Sequence, residues 1–318
     1  MSTPRRPARR SLLGAAASLA LAGCSGGPGP AEPDPTGSSA SPTAPATTPS
    51  PDATAALSRE ELQDGWRTEV RYGPHPRQVS DLWLPPGERR GALVVLVHGG
   101  AWLDEVDRAD VLSLVADLVG RGWPVLNADY RGVGGGGGWD STFTDLATAV
   151  DSAAEVAENL RVPPARIAVF GHSAGGHLAG WAAARHRLPP GAPGADPRVR
   201  PAFLASASGV LHPTAIGGEG QDPNVTNVFG GTPEQVDERY AVGDPTRLVP
   251  LGVPALVVHG TGDTTVTPDQ ARGFAAAARG AGDEVELVMP EGVGHNDVLD
   301  PTGTVWPLVR TRLEEVLA

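Results

Sequence analysis

The chain of 318 residues holds one large domain and an appendage, and its net charge is −12. All 25 basic residues are arginine; setting aside residues 1–23, which hold four of them and no acid, 21 arginines face 37 acidic residues for a charge of −16. That balance repels nucleic acid and anionic surfaces, and a single cysteine, Cys24, excludes an intramolecular disulfide.

Near the N-terminus, Arg5, Arg6, Arg9 and Arg10 precede an apolar stretch of 12 residues, Ser11 to Ala22. It is shorter than the ~20 residues of a membrane-spanning helix and suits the apolar core of a signal peptide over residues 1–23. It ends in Leu21-Ala22-Gly23-Cys24, which resembles a bacterial lipobox. The resemblance implies that Cys24 becomes the lipidated first residue of an exported protein, anchored on the outer face of a bacterial membrane. The alternative is ordinary cleavage after Ala20-Leu21-Ala22, leaving a free thiol. Arg9-Arg10-Ser11-Leu12-Leu13 is similar to a twin-arginine signal, so two export routes stay open. Residues 25–56 contain eight prolines and no Leu, Ile, Val, Met or aromatic residue. Such a stretch buries too little apolar surface to fold. Residues 24–56 therefore read as a tether, spanning roughly 30 Å as coil and about 100 Å as extended polyproline II.

From residue 57 to 318 the composition is that of a folded domain. Strands are expected at Trp66–Tyr72, Gln78–Leu84, Ala92–His98, Pro124–Asp129, Arg166–Gly171, Ala202–Ser206, Ala255–His259 and Glu284–Met289. Helices are expected at Val106–Arg121, Thr142–Leu160, Ala174–Arg187, Pro268–Gly280 and Thr304–Ala318. The first two strands form a hairpin punctuated by Gly73-Pro74; the rest alternate, which predicts an α/β class with a mostly parallel eight-stranded sheet flanked by helices. The run Ala92-Leu93-Val94-Val95-Leu96-Val97 is apolar throughout, as in a strand buried on both faces. Residues 209–250 break the rhythm with Gly, Pro and Asn and one short helical stretch near Pro233–Tyr240, and read as a small lid. Gly134–Gly138 is a five-glycine run that leaves the shape of the neighbouring pocket open.

The chemistry centres on Gly171-His172-Ser173-Ala174-Gly175, a G-x-S-x-G set between a strand and a helix. A sharp strand-to-helix turn there lifts the Ser173 hydroxyl out of the sheet and needs small residues two positions either side. Ser173 needs a base and an orienting acid, expected in the order Ser, acid, His at strand ends. Asp263 lies in His259-Gly260-Thr261-Gly262-Asp263 after an apolar strand, 90 residues past the serine. His295 lies in Gly292-Val293-Gly294-His295-Asn296-Asp297, between the last strand and the last helix. Asp297 and Asp300 are alternative acids, with Asp297 disfavoured because it sits two residues from the histidine. Oxyanion donors are expected from Gly99, Gly100 and Ala174, the glycines following a strand and Ala174 opening the helix. Trp102, Trp139 and His172 are candidate pocket residues. No residue cluster has metal-ligand spacing and no phosphate loop with a lysine exists, so the chemistry is expected to be free of metal and cofactor.

These motifs, with Asp81-Leu82-Trp83-Leu84-Pro85, His98-Gly99-Gly100-Ala101-Trp102 and Asp129-Tyr130-Arg131-Gly132, carry a resemblance over about 260 residues to the α/β-hydrolases of the esterase/lipase superfamily. The chain is most similar to the branch of kynurenine-formamidase-like and feruloyl- and acetyl-xylan-esterase-like enzymes. The resemblance implies nucleophile Ser173, acid Asp263, base His295 and oxyanion donors Gly99, Gly100 and Ala174. It implies a serine carboxylesterase for small or aromatic acyl esters, free or linked to polysaccharide, working without a cofactor. Two further readings are open: an amide hydrolase of the dipeptidyl- or acylaminoacyl-peptidase or arylformamidase type, and a retired hydrolase fold serving as a cell-surface binding module.

Overall fold

The structure, a computed structural model, describes residues 67–218 and 222–318. The signal-peptide, Cys24 and tether expectations lie outside the described residues.

Eight strands form one sheet: β1 (Arg67–Arg71), β2 (Val79–Trp83), β3 (Leu93–Val97), β4 (Val125–Ala128), β5 (Ile167–His172), β6 (Phe203–Ala207), β7 (Ala255–Val258) and β8 (Val285–Val288). Their order across the sheet is β1-β2-β4-β3-β5-β6-β7-β8. β2 runs antiparallel to both its neighbours, and every pairing from β4 to β8 is parallel. All eight strands stand within a residue or two of their expected positions, and β3, buried at every position, shows the continuous apolar run of a strand covered on both faces.

Among the described residues, seven α-helices accompany them: α1 (Leu112–Gly120), α2 (Ser141–Leu160), α3 (Ala174–Ala184), α4 (Pro223–Phe229), α5 (Asp237–Gly243), α6 (Asp269–Gly280) and α7 (Trp306–Leu317). The alternation of side chains along β3 divides the core. Leu93, Val95 and Val97 pack with residues of α2, α3 and α6, whereas Val94 and Leu96 pack with α1 and α7. α2 shows why its face is buried: Phe143, Leu146, Val150, Ala153 and Ala157 recur at helical spacing and are all within 4% of full burial. The helix expected from Val106 begins later. Asp107 accepts a hydrogen bond from the Ala109 N–H at 2.7 Å and starts a 3-10 turn over Arg108–Val111, which α1 continues.

Among the described residues of 209–250 stand two α-helices, α4 and α5, where one short helical stretch was expected. Their Val225, Val228, Phe229 and Tyr240 are fully buried. The insertion is fastened to α3, whose Trp181 Nε1 donates to Val242 O at 2.8 Å and whose His177 Nε2 donates to Gly243 O at 2.9 Å.

Candidate active site

The strand order reverses at β3, which lies between β4 and β5, and open α/β sheets bind ligands outside the carboxyl ends of strands at such a switch. Gly99 follows β3 there, and Ser173 follows β5. Ser173 has φ 55° and ψ −122°, the tight turn between strand and helix. A Cβ on Gly171 would run into the Gly175 carbonyl, and one on Gly175 into the Val97 and His98 carbonyls, so the turn closes only with glycine at both positions.

The loop after β7 delivers Asp263 and the loop after β8 delivers His295. His295 Nε2 lies 2.9 Å from Ser173 Oγ, and His295 Nδ1 lies 2.8 Å from Asp263 Oδ2. The two loops are laced together: Gly262 N–H donates to Val293 O at 3.0 Å and Thr261 N–H to Pro290 O at 2.9 Å. Asp263 Oδ1 accepts from the Thr265 and Val266 N–H groups, both at 2.9 Å. Burial works to raise the Asp263 carboxyl, but contacts from His259, His295 and the Val266 N–H outweigh it and hold the group well below the usual carboxylate range. Asp263 is therefore an anion. The alternative acids are occupied locally: Asp297 Oδ2 accepts from the Gly294 N–H at 2.8 Å, and Asp300 Oδ1 from the Thr302 N–H at 2.8 Å.

The Gly99-Gly100 loop after β3 is set from behind. Tyr130 stacks on His98 with centroids 4.3 Å apart and rings 3° from parallel, and its hydroxyl donates to His98 O at 3.0 Å and Gly99 O at 3.3 Å. His98 Nδ1 lies 2.9 Å from Gly99 O, and its Nε2 lies 3.1 Å from the fully buried Asp129. Asp129 also accepts from Arg108 at 2.8 Å and Arg77 at 3.3 Å. With the Gly99 carbonyl held on that side, the planar trans peptide turns the Gly100 N–H the other way. Gly100 takes φ 94°, a conformation open to glycine. Ala174 is the first residue of α3, where an N–H has no acceptor within the helix.

The candidate pocket residues part company. Trp102 is only 1% exposed and belongs to the core, its indole N–H donating to His177 Nδ1 at 3.2 Å, so it presents no open face to a pocket. Trp139 is half-buried, edge-on to Phe143 at 4.9 Å and stacked on Phe229 at 6.0 Å, where the glycine loop meets the insertion. His172 is a tether: its Nε2–H donates to the His295 backbone carbonyl at 2.9 Å, joining the neighbour of Ser173 to His295. The five-glycine run is tied down by Gly137 N–H to Gly132 O at 2.9 Å and Gly138 N–H to Thr142 Oγ1 at 2.9 Å. Sequence reasoning missed the Tyr130–His98–Asp129 clamp and the His259 contact to the acid. The pairing of Asp129-Tyr130 with His98-Gly99 at the ends of adjacent strands was the available signal.

Burial, reinforced by the adjacent His295, pushes His172 down to about 4, and burial pushes His177 down to about 4. Both are neutral when folded, whereas in the unfolded chain they take up a proton near the ordinary value of 6.5. Between pH 6.5 and 4 the unfolded state thus binds more protons, so stability falls as pH falls through that window and is fully present above it. Each ring contributes on the order of 3 kcal/mol of that loss. Melting temperatures measured from pH 7.5 to 4.5 are expected to drop, and His177→Gln is expected to flatten the slope; an unchanged slope in the variant would remove His177 from this account.

Comparison with known proteins agrees with this architecture. A truncated carbohydrate esterase from gut microbiota superposes with a TM-score of 0.67 at 18% identity, over 81% of this chain and 98% of that one. Native Est2, a thermophilic esterase from the Planctomycetes species Thermogutta terrifontis, superposes with a TM-score of 0.59 at 25% identity, over 80% of this chain and 91% of that one. Esterase LipC of Mycobacterium tuberculosis is 27% identical over 260 residues, covering 75% of this chain. The chain spans 62% of LipC's own length. The family model described as BD-FAE matches residues 80–277, well over half of the sequence and including Gly99, Gly100, Ser173 and Asp263. The chain is an α/β-hydrolase and belongs to the BD-FAE family.

Proposed function

We propose that this protein is a serine carboxylesterase working through an acyl-enzyme. The observation that carries the reading is the chain of contacts from Ser173 Oγ through His295 to Asp263, at 2.9 and 2.8 Å. Ser173 Oγ attacks the ester carbonyl while His295 Nε2 takes its proton, and Asp263 steadies the imidazolium that forms. The N–H groups of Gly99, Gly100 and Ala174 receive the oxyanion, each such donor contributing roughly 3 kcal/mol to the transition state. His295 passes its proton to the leaving alcohol, then draws one from the water that clears the acyl group. Ester hydrolysis is supported by the similarity to LipC and to Est2, both described as esterases, and small or aromatic acyl esters are the proposed substrates. The test is a panel of activated acetyl, butyryl, octanoyl and feruloyl esters with an organophosphorus probe. Turnover of the short or aromatic members and one-to-one labelling at Ser173 are expected; no turnover with no labelling would sink the reading.

The same proposal places the catalytic domain outside the cytoplasm, held to the membrane by lipid on Cys24. The support is the basic start, the apolar stretch and Leu21-Ala22-Gly23-Cys24. Each buried methylene contributes about 0.8 kcal/mol, so two acyl chains anchor stably where one is marginal. Cys24→Ser is expected to move the protein from the membrane to the soluble fraction without changing activity per molecule. A mature protein with an unmodified Cys24 thiol would remove the anchor.

A further inference from the structure

His259 directly follows β7 and is fully buried, yet the reaction as written does not use it. Its Nε2 lies 2.9 Å from the Val266 carbonyl and 3.1 Å from Asp263 Oδ2, while among the described residues its Nδ1 has no partner. Both neighbours of Nε2 are acceptors, so Nε2 carries the proton. That one N–H faces the two ends of the short turn that presents the acid. Val266, whose carbonyl it binds, is the residue whose own N–H donates to Asp263 Oδ1. Oδ2 meanwhile sits between two imidazoles, His295 Nδ1 at 2.8 Å and His259 Nε2 at 3.1 Å.

We propose that His259 is the positioning residue for the acid, fixing the 263–266 turn and the rotation of the Asp263 carboxylate so that Oδ2 meets His295. This rests on the reading of Ser173, His295 and Asp263 as a catalytic triad. The carboxylate can turn about its Cβ–Cγ bond, and the two backbone donors hold only Oδ1. His259 supplies the contact that holds Oδ2 in place when His295 is moving a proton. A histidine serving only as packing would be indifferent to where a donor sits, and that difference is measurable.

The experiment compares His259→Gln, His259→Asn and His259→Leu in the full chain on an activated ester, each shown to be folded by its melting transition. The glutamine amide nitrogen reaches the place of the imidazole Nε2, whereas the asparagine amide stops at that of Nδ1. His259→Gln is expected to keep most of the parental kcat. His259→Asn and His259→Leu are expected to lose kcat by roughly 10- to 100-fold, the scale of a catalytic group held loosely, with the larger change in kcat than in KM. Parental rates in His259→Asn, or a His259→Gln as slow as His259→Asn, would overturn the proposal; should His259→Leu fail to fold, the Gln and Asn pair decides. Ser173→Ala run alongside separates the two levels. An inactive Ser173→Ala beside a fully active His259→Asn overturns only the role of His259, while an active Ser173→Ala overturns the triad reading and this role with it.

Discussion

Ser173→Ala is expected to abolish ester turnover while leaving the protein folded. Removing the nucleophile of a comparable triad costs on the order of 10⁶ in kcat, because no other group supplies an attacking oxygen beside the oxyanion donors. The fold tolerates the change because the turn is held by its backbone. The Ser173 N–H donates to Ala207 O at 3.1 Å, and its carbonyl accepts from the His177 N–H at 3.1 Å, neither of which needs the side chain. The hydroxyl itself bonds to His295 alone among the described protein groups. Alanine has the same Cβ at φ 55°, so the backbone strain is carried over unchanged. Hydrolysis of an activated acetyl ester and the melting temperature of the variant check both halves. Residual turnover within about tenfold of the parent, against the loss expected for a true nucleophile, would show that the hydrolysis belongs to another group.

The sheet was legible because its signals are local and redundant. Leu93–Val97 is apolar at every position, and only a strand covered on both faces asks for that. The order serine, aspartate, histidine followed from the same logic, since each residue lies in a glycine-bearing loop just past a strand. α4 was hidden although its boundary signals are present, Asp222 accepting from the Asn224 N–H, Pro223 in the first turn and Gly230 closing in the left-handed region. At seven residues it is too short to show a periodic face, and its buried Val225, Val228 and Phe229 meet residues distant in sequence. The surroundings of Trp102 and of the glycine run were illegible for a related reason. Whether an indole packs inward is decided by its partner, and His177 lies 75 residues away. A glycine run read alone means freedom, but Gly137 is bound to Gly132 and Gly138 to the Thr142 hydroxyl of the next helix. His98 and His259 sit beside motifs in sequence, and only the fold shows that one braces the oxyanion peptide and the other touches the acid.

Asp263→Asn is expected to give a folded protein whose kcat falls by as much as ~10⁴, the loss seen when the acid of a comparable triad becomes an amide. The hydrogen bonds explain the direction. Asp263 Oδ1 accepts from two backbone N–H groups, of Thr265 and Val266, whose positions cannot change without moving the turn. An asparagine must therefore give its one oxygen to that side, since its NH₂ would face two donors there. The NH₂ is left on the side of His295 and of the His259 Nε2–H, whose remaining acceptor is then the Val266 carbonyl. His295 Nδ1 then becomes the acceptor and its proton shifts to Nε2, the atom 2.9 Å from Ser173 Oγ that has to receive a proton. The geometry survives and the base is in the wrong tautomer. Asp297→Asn and Asp300→Asn are the controls. Each retains a side-chain oxygen able to cap its local turn, at the Gly294 and Thr302 N–H groups respectively, and neither carboxylate contacts His295. The three variants compared in kcat and kcat/KM on one activated ester settle which carboxylate is coupled to the base. A loss confined to Asp263→Asn is the expected pattern, and a larger loss in Asp297→Asn or Asp300→Asn would transfer the acid's role to that residue.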